Sequence, residues 1–271
     1  MTEQLSDDHI SRKRVVYCVE GMERVGIRKD LVYRTSDAGP LTMDLYHPPG
    51  AFGAPLPAVV LVAGYNDVGY KKMLGCRFKD MAMSVSWAQL AAASGMIAIA
   101  YTNREPVSDL DALLEHVRQS AAELGIDQGR IAVHACSGSV PLALWALMQH
   151  DFLRCGVLLY GYMIDLDGAS DVATAAAQFR FVNPAVGRSI NDLRETLPLF
   201  IARAGLDQFP GLNESIDRFV MSALALNRPL TLVNHATGPH AFDILQDDET
   251  SREIVRRALG FLASQLTPAG S

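Results

Sequence analysis

The sequence predicts an α/β protein with a mostly parallel mixed sheet of about eight strands and helices on both of its faces. Three observations lead to this prediction. Short, continuously apolar segments of strand length recur along the 271 residues, and they alternate with longer segments of helical periodicity. Two alternating segments near the start are separated by a turn, which predicts an antiparallel strand pair. The sequence shows no internal repeat or low-complexity linker, so we expect one large domain.

The predicted elements follow one another at regular intervals. The antiparallel pair comprises residues 27–35 and 41–46, separated by Ser-Asp-Ala-Gly-Pro. A segment that is apolar throughout is expected where a strand is buried on both faces. Such strands are predicted at residues 57–63, 96–101, 131–134, 155–160, 199–204 and 230–234. The predicted helices cover residues 78–94, 109–124, 140–148, 169–179, 212–226 and 250–266.

The sequence divides into an N-terminal segment, a main domain and an insertion within that domain. Residues 1–24 are polar and weakly patterned, which predicts an N-terminal arm with a short helix. The main domain is expected to cover residues 25–268. The connection between the strands at 155–160 and 199–204 is too long for a simple loop. We therefore predict an insertion at about residues 162–197.

Composition argues against several classes of function. The formal net charge is −6, and no basic cluster exceeds Arg12-Lys13-Arg14, so we expect binding to neither nucleic acid nor membranes. The four cysteines lack C-x-x-C spacing, which predicts neither a zinc site nor a disulfide framework and fits a reducing compartment. No apolar run is long enough to span a bilayer, and the first residues carry no secretory signal pattern. We therefore expect a cytoplasmic protein.

One segment carries the clearest chemical signal. After the strand predicted at 131–134, the residues Ala135-Cys136-Ser137-Gly138-Ser139 form a turn that leads into an apolar helix. A serine flanked by small residues at a sharp strand-to-helix turn is typical of a nucleophile elbow, which exposes the serine hydroxyl. The usual form is G-x-S-x-G, and here Ala135 and Ser139 stand in place of the glycines. Helix N-capping by serine is the alternative explanation.

This segment and the order of the predicted strands resemble the α/β-hydrolases, particularly the carboxylesterase and dienelactone-hydrolase-like members. The resemblance covers about residues 27–266. It implies the α/β-hydrolase fold, with the insertion at about 162–197 forming a small cap over the site. It also implies a catalytic triad in the chain order Ser, acid, His, with Ser137 as its nucleophile.

The acid implied by the resemblance is Asp207. Residues 198–207 comprise an apolar strand, a small-residue turn and this aspartate, which is similar to the strand-G-x-D segment that carries the acid in the family. In isolation, an ordinary turn or helix-capping aspartate would explain the same pattern. Asp165 and Asp167 stay open as alternatives, because some family members place the acid after the preceding strand.

The base implied by the resemblance is His240, with His235 as the alternative. His240 follows a glycine-containing loop and precedes Ala-Phe-Asp, whereas His235 lies directly at the end of a predicted strand. The spacings are 207 − 137 = 70 and 240 − 207 = 33 residues. They leave room for the cap in the first gap and for one helix-strand unit in the second.

A tetrahedral intermediate also needs two hydrogen-bond donors aimed at its oxyanion. The resemblance implies the backbone N–H of Gly138 and one from the loop after the strand at 57–63, for which we select Tyr65. Many relatives have His-Gly at the start of this loop, and Ala63 replaces that histidine here, a change that a backbone donor survives. We expect Gly64 and Cys136 to line the substrate site. Cysteine is the nucleophile in dienelactone hydrolases, but the symmetric spacing favours Ser137 over Cys136.

The combined prediction is a serine hydrolase that cleaves a carboxylic ester of small or medium size through an acyl-enzyme intermediate. Its chemistry requires no metal or organic cofactor, and its expected partner is a small-molecule ester. The alternatives are hydrolysis of a lactone, thioester, peptide or carbon–carbon bond on the same triad, and a ligand-binding protein that kept the fold without catalysis. A homodimer is compatible with the sequence, which specifies no oligomeric state.

Overall fold

The computed structural model describes residues 9–50 and 53–267, and the strands of these residues form one eight-stranded sheet. The strands are β1 (Gly26–Ser36), β2 (Gly39–His47), β3 (Leu56–Leu61), β4 (Ile97–Tyr101), β5 (Ile126–Cys136), β6 (Leu153–Leu159), β7 (Leu199–Ala204) and β8 (Leu230–His235). Their order is β1-β2-β4-β3-β5-β6-β7-β8. The pairs β1–β2 and β2–β4 are antiparallel, and every other neighbouring pair is parallel. The predicted mostly parallel mixed sheet is therefore confirmed.

Helices of the described residues pack around this sheet. The α-helices are α1 (Asp67–Leu74), α2 (Ala82–Ala93), α3 (Pro106–Gln119), α4 (Ala121–Leu124), α5 (Val140–Gln149), α6 (Asp171–Phe179), α7 (Leu212–Ala225), α8 (Phe242–Leu245) and α9 (Glu249–Gln265). Helix α2 packs against β2, β3 and β4, whereas α9 packs against β6, β7 and β8. Helices α3 and α5 pack against each other and against β5. Within the described chain, no helix is both long enough and apolar enough to cross a membrane.

The centre of the sheet is buried on both faces. All five residues of β4 are buried, as are the last six of β5 and the last five of β6. Side chains alternate between the faces of a strand, so unbroken burial requires cover on both. The largest fully buried side chains include Trp87, Tyr101, Tyr160, Phe200, Phe219 and Phe242. This rigid core holds the loops that follow the strands.

The loops after the parallel strands meet at one edge of the sheet. The loops after β7 and β8 are bonded directly: the Gly205 N–H donates to the His235 carbonyl at 2.8 Å, and the Leu206 N–H donates to the Gly238 carbonyl at 2.9 Å. Functional groups of open α/β sheets collect at this carboxyl edge. The predicted site residues should therefore be sought there.

Helix α1 was not predicted from the sequence. The Asn66 side chain accepts a hydrogen bond from the Gly69 N–H at 2.7 Å and caps the helix N-terminus. Gly75 ends the helix with a left-handed backbone (φ 77°). Tyr70 is buried, so α1 also forms part of the core.

Lys79 lies between α1 and α2 and is buried. Its side chain is 2% exposed, and its Nζ lies 2.8 Å from both carboxylate oxygens of Asp44 and 3.0 Å from Asp30. A buried ammonium is stable only when it is paired in this way. No local sequence pattern indicates this pairing, because the two partners lie 35 and 49 residues away.

The connection from β6 to β7 lies against the loop after β3. It contains α6 and a short 3₁₀ helix, Ile190–Asp192. Phe181 of this connection stacks on Tyr162 at 5.5 Å and meets the ring of Tyr65 edge-on at 6.3 Å. Its role as a cap stays a prediction.

The part of the N-terminal arm that the structure describes contains two short 3₁₀ helices, Ile10–Arg12 and Met22–Arg24. The Val15 N–H donates to the Ser86 hydroxyl at 3.0 Å, and the Val16 N–H donates to the Asp243 carbonyl at 2.8 Å. These bonds attach the arm to α2 and α8. Residues 1–8 of the predicted arm lie outside the described residues.

Candidate active site

Ser137 lies at the tip of the turn between β5 and α5. Its backbone is left-handed (φ 53°), a conformation that crowds the side chain of any residue other than glycine. The neighbouring chain is so close that a methyl group added to Gly161 would lie 2.6 Å from the Ser137 carbonyl oxygen. Only small residues fit around this turn. The tight reversal directs the Ser137 hydroxyl toward the loops that follow the other strands.

Three side chains that the sequence analysis selected lie in hydrogen-bond contact. The Ser137 Oγ is 2.8 Å from the His240 Nε2, and the His240 Nδ1 is 2.6 Å from the Asp207 Oδ2. The side chain of Asp207 is fully buried, and that of His240 is 20% exposed. A hydroxyl, an imidazole and a carboxylate in this order can act as a nucleophile, its base and the group that orients the base.

The backbone explains how Asp207 and His240 reach each other. A methyl group added to Gly205 would lie 2.4 Å from the Ala236 carbonyl oxygen, so glycine allows the loops after β7 and β8 to touch. The Asp207 Oδ1 also accepts a hydrogen bond from the Phe209 N–H at 3.0 Å, which fixes the carboxylate. The Phe209 ring packs against the imidazole of His240 at 4.5 Å.

The structure places the alternative acids and base elsewhere. Asp165 accepts hydrogen bonds from the amides of Val172 and Ala173, both at 2.9 Å, at the start of α6. Asp167 is exposed. His235 is fully buried, and its Nε2 lies 3.0 Å from the Ser251 hydroxyl. None of the three contacts Ser137.

Cys136 is buried beside Ser137 and lines the same cavity. Burial raises the pKa of its thiol to about 12, and the nearby Asp243 carboxylate acts in the same direction. A thiol is reactive only as a thiolate, so this environment makes Cys136 a poor nucleophile.

The loop after β3 lies directly against the turn that carries Ser137. A methyl group added to Gly64 would lie 2.2 Å from the Gly138 carbonyl oxygen, and one added to Gly138 would lie 2.9 Å from the Tyr65 hydroxyl. The Gly64 N–H donates to the Ser139 hydroxyl at 2.9 Å. In the described chain, the Tyr65 N–H has no protein acceptor. The Gly138 N–H belongs to the first turn of a helix, where amides lack intrahelical partners.

A cavity of about 230 Å³ opens next to Ser137. Its walls are mostly apolar, and the N-terminal arm contributes to them together with α1, α2, α8 and the segment before α2. The apolar lining residues are Ile10, Met73, Leu74, Phe78, Met81, Met83 and Ile244. Three of these lining residues are methionines.

A buried carboxylate beneath the site was missed by sequence reasoning. Asp243 is fully buried, and it accepts hydrogen bonds from the Tyr160 hydroxyl at 2.5 Å and from the Trp87 Nε1 at 2.8 Å. Burial raises its pKa, which the two hydrogen bonds oppose. The Tyr160 ring meets the His240 ring edge-on at 5.1 Å. A sequence feature that could have indicated Asp243 is its position three residues after His240.

The described residues contain no cluster of three or more histidine, cysteine, aspartate or glutamate side chains that could hold a metal ion. Tyr65 and Gly138, which carry the two selected amides, line the cavity together with Ser137 and His240.

Comparison with known proteins gives no match by sequence and many by structure. No known family model and no curated protein sequence matches this chain. A bacterial heroin esterase superposes with a TM-score of 0.68 at 15% identity, covering 91% of this chain and 86% of the other. Esterase LipW from Mycobacterium marinum gives 0.67 at 17% identity, covering 96% and 94%. EstE1, a thermostable carboxylesterase cloned from a metagenomic library, gives 0.67 at 18% identity, covering 90% of each chain.

These structural superpositions identify the fold. The sheet order, the turn after β5 and the superpositions over most of each chain show that this protein has the α/β-hydrolase fold. The neighbours named above are esterases. What this chain does with the fold must be argued from its own site.

Proposed function

We propose that the protein is a serine hydrolase that cleaves carboxylic esters. The observation that carries the proposal is the continuous hydrogen-bonded chain from the Ser137 Oγ through His240 to the buried Asp207. A serine hydroxyl is a weak nucleophile near neutral pH and needs an adjacent base that is oriented by a third group. The esterase activity of three structural neighbours adds support for an ester substrate.

In the proposed reaction, the Ser137 Oγ attacks the acyl carbon while His240 Nε2 accepts the hydroxyl proton. Asp207 accepts the Nδ1–H of His240, fixes the tautomer and stabilises the imidazolium that forms. His240 then donates the proton to the departing alcohol, leaving an acyl group on Ser137. Water attacks this acyl-enzyme with His240 again as the base, which releases the acid and restores the serine.

The developing negative charge needs donors that are already in place. We assign the N–H groups of Tyr65 and Gly138 to the oxyanion, because both lie beside Ser137 and neither amide has another role in the fold. The N-terminal end of the helix after Ser137 adds a favourable dipole at the same position. One such donor is worth roughly a 10²- to 10³-fold increase in kcat.

The cavity suggests the size of the substrate. A volume of about 230 Å³ with a mostly apolar wall accommodates a small or medium-sized apolar group of the ester. Methionine side chains adapt their shape, so the cavity should accept several such groups. We therefore expect short and medium acyl or aryl esters to be better substrates than long-chain ones.

The test is a panel of p-nitrophenyl esters of increasing acyl length, with a lactone, a thioester and an anilide, assayed with the wild type and with Ser137→Ala. We expect the wild type to hydrolyse the short and medium esters, and Ser137→Ala to lose at least about 10³-fold in kcat while keeping its circular dichroism spectrum. A fluorophosphonate probe should label the wild type and not the variant.

Ser215→Ala is the matched control. Ser215 is equally buried and hydrogen-bonded, but it lies on α7, away from the cavity. Failure of the wild type to hydrolyse any ester or to react with the probe would refute the proposal and favour a ligand-binding protein. Substantial activity in Ser137→Ala would refute the assignment of the nucleophile.

A further inference from the structure

Ser139, two positions after Ser137, makes a side-chain hydrogen bond that a glycine at this position could not make. Ser139 has a right-handed backbone (φ −86°), so this position imposes no requirement for glycine. Its side chain is buried, with 2% of the residue exposed. The Ser139 Oγ accepts a hydrogen bond from the Gly64 N–H at 2.9 Å, across 75 residues of sequence. Burial holds the pKa of the nearby Tyr70 hydroxyl well above its usual value, and the Ser139 hydroxyl acts in the opposite direction.

The Gly64 peptide is fixed from its other side as well. Its carbonyl oxygen accepts a hydrogen bond from the Val182 N–H at 2.9 Å, which comes from the connection between β6 and β7. In a trans peptide, the C=O of one residue and the N–H of the next point in opposite directions. The bond from Val182 fixes the direction of the Gly64 carbonyl. The Tyr65 N–H belongs to the same peptide unit and therefore points away from Val182. Ser139 holds the preceding peptide unit, so the loop is held at two successive points.

Two further contacts leave this loop little freedom. The Asn103 Nδ2 donates to the Tyr65 carbonyl at 3.1 Å. A methyl group on Gly64 would lie 2.7 Å from the Ser139 Cα, so the two backbones already touch. The hydroxyl of Ser139 is thus the polar link between the turn that carries the nucleophile and the loop that carries the Tyr65 amide.

We propose that Ser139 is a positioning residue for the oxyanion site, whose hydroxyl fixes the loop after β3 so that the Tyr65 N–H is held in place beside Ser137. This inference rests on the proposed function. Without the hydroxyl, the buried Gly64 N–H would lose its acceptor, and a buried amide without a partner is strongly disfavoured. The loop would then rotate to find another acceptor. The Tyr65 N–H, in the next peptide unit, would move with it.

The alternative is that position 139 requires only a small residue. Ser139→Ala and Ser139→Gly separate the two explanations, because both satisfy the steric requirement and neither can accept the Gly64 N–H. If Ser139 positions the loop, both variants should lose kcat by about 10- to 100-fold. This loss is at most comparable with the loss that follows removal of a whole oxyanion donor. KM should change by less than about threefold, because the variants remove one hydroxyl from a wall that is otherwise mostly apolar.

The measurements are kcat and KM for a short p-nitrophenyl ester and the inhibition constant of a trifluoromethyl ketone. This ketone forms a tetrahedral adduct with an active serine and reports on oxyanion binding, so its inhibition constant should rise in parallel with the loss of kcat. Ser215→Ala, a buried serine that accepts the Met163 N–H at 3.3 Å, is the control for loss of a structural hydroxyl and should change neither quantity.

Each outcome has a defined meaning. Unchanged kcat and ketone inhibition in Ser139→Ala and Ser139→Gly overturn the inference, as does a loss confined to KM or an equal loss in Ser215→Ala. If neither Ser139 variant folds, Ser139→Cys replaces the hydroxyl by a thiol, a much weaker acceptor for the Gly64 N–H, and an unchanged kcat in that variant overturns the inference. Absence of ester turnover and of fluorophosphonate labelling in the wild type rejects the proposed function, and this inference with it.

Discussion

Replacing Gly64 by alanine tests the oxyanion site through backbone geometry. The added methyl group would lie 2.2 Å from the Gly138 carbonyl oxygen and 2.7 Å from the Ser139 Cα, and both contacts are with backbone. Ordinary contact begins at about 3.4 Å, so the loop must move by 3.4 − 2.2 = 1.2 Å or more. Neither neighbour can rotate away as a flexible side chain could.

A displacement of this size is large for catalysis. A misplacement of about 1 Å can reduce a rate by roughly 10²-fold, and complete loss of an oxyanion donor costs about 10²- to 10³-fold in kcat. We therefore expect Gly64→Ala to lower kcat by at least about 100-fold, which corresponds to roughly 2.7 kcal/mol of transition-state stabilisation. KM should change much less, since Gly64, which the sequence analysis expected to line the substrate site, is not among the residues that line the cavity.

Gly260→Ala provides a matched control for the same chemical change. Gly260 lies on the exposed side of α9, and a methyl group there would meet nothing within 4 Å. Alanine favours helix over glycine by about 0.5–1 kcal/mol, so this variant should be slightly more stable and fully active.

The assay for both variants is steady-state hydrolysis of a short p-nitrophenyl ester, normalised to the fraction of protein that the fluorophosphonate probe titrates. Urea unfolding then confirms that each variant is folded under the assay conditions. A folded Gly64→Ala protein that keeps kcat within about threefold of the wild type would refute the assigned oxyanion site.

Two other substitutions test separate parts of the structure. Asp207→Asn should lower kcat by about 10⁴-fold with little change in KM, because an amide at this position favours the wrong tautomer of His240; a loss below about tenfold would contradict the assigned acid. Asp67→Asn tests a buried charge, since burial raises the pKa of Asp67 from 3.8 to about 6. The folded state then binds more protons than the unfolded state between pH 4 and 6, so this carboxyl contributes stability below pH 4 that is lost as the pH rises to 6. The variant should be more stable than the wild type at pH 7 by on the order of 1 kcal/mol, after allowance for partial exposure, and equal to it near pH 4. Urea unfolding at the two pH values measures this difference, and a pH-independent difference would contradict it.

The sequence predicted the framework of the fold well where the pattern is governed by burial. Strand β7 occupies residues 199–204 as predicted, because a continuous apolar run has few alternatives to a strand covered on both faces. Helix α1 was missed because Gly69 weakens its helix propensity and its apolar stripe is narrow. Its stability comes from the caps at Asn66 and Gly75 and from the burial of Tyr70. The burial of Tyr70 is a tertiary contact, which helix propensity alone does not predict.

For the candidate site as well, some features follow from the sequence and others depend on tertiary packing. The position of each residue after a strand could be predicted from the sequence pattern, because open α/β sheets collect loops at one edge. The order Ser137, Asp207, His240 is what the resemblance to the α/β-hydrolases implied. The choice of His240 over His235 was left open by that argument. Tertiary packing buries the His235 ring beside Ser251, 16 residues away, and leaves His240 next to Ser137.

The sequence by itself determined the sheet, the sharp turn at Ser137 and the set of side chains available at its edge. These properties follow from local apolar runs and from the small residues that a tight turn requires. Only the tertiary structure decided which groups meet. The Ser139 hydroxyl meets an amide 75 residues away, Lys79 meets two distant carboxylates, and Asp243 meets a tyrosine and a tryptophan. Such contacts depend on distances between chain segments, which no local pattern encodes.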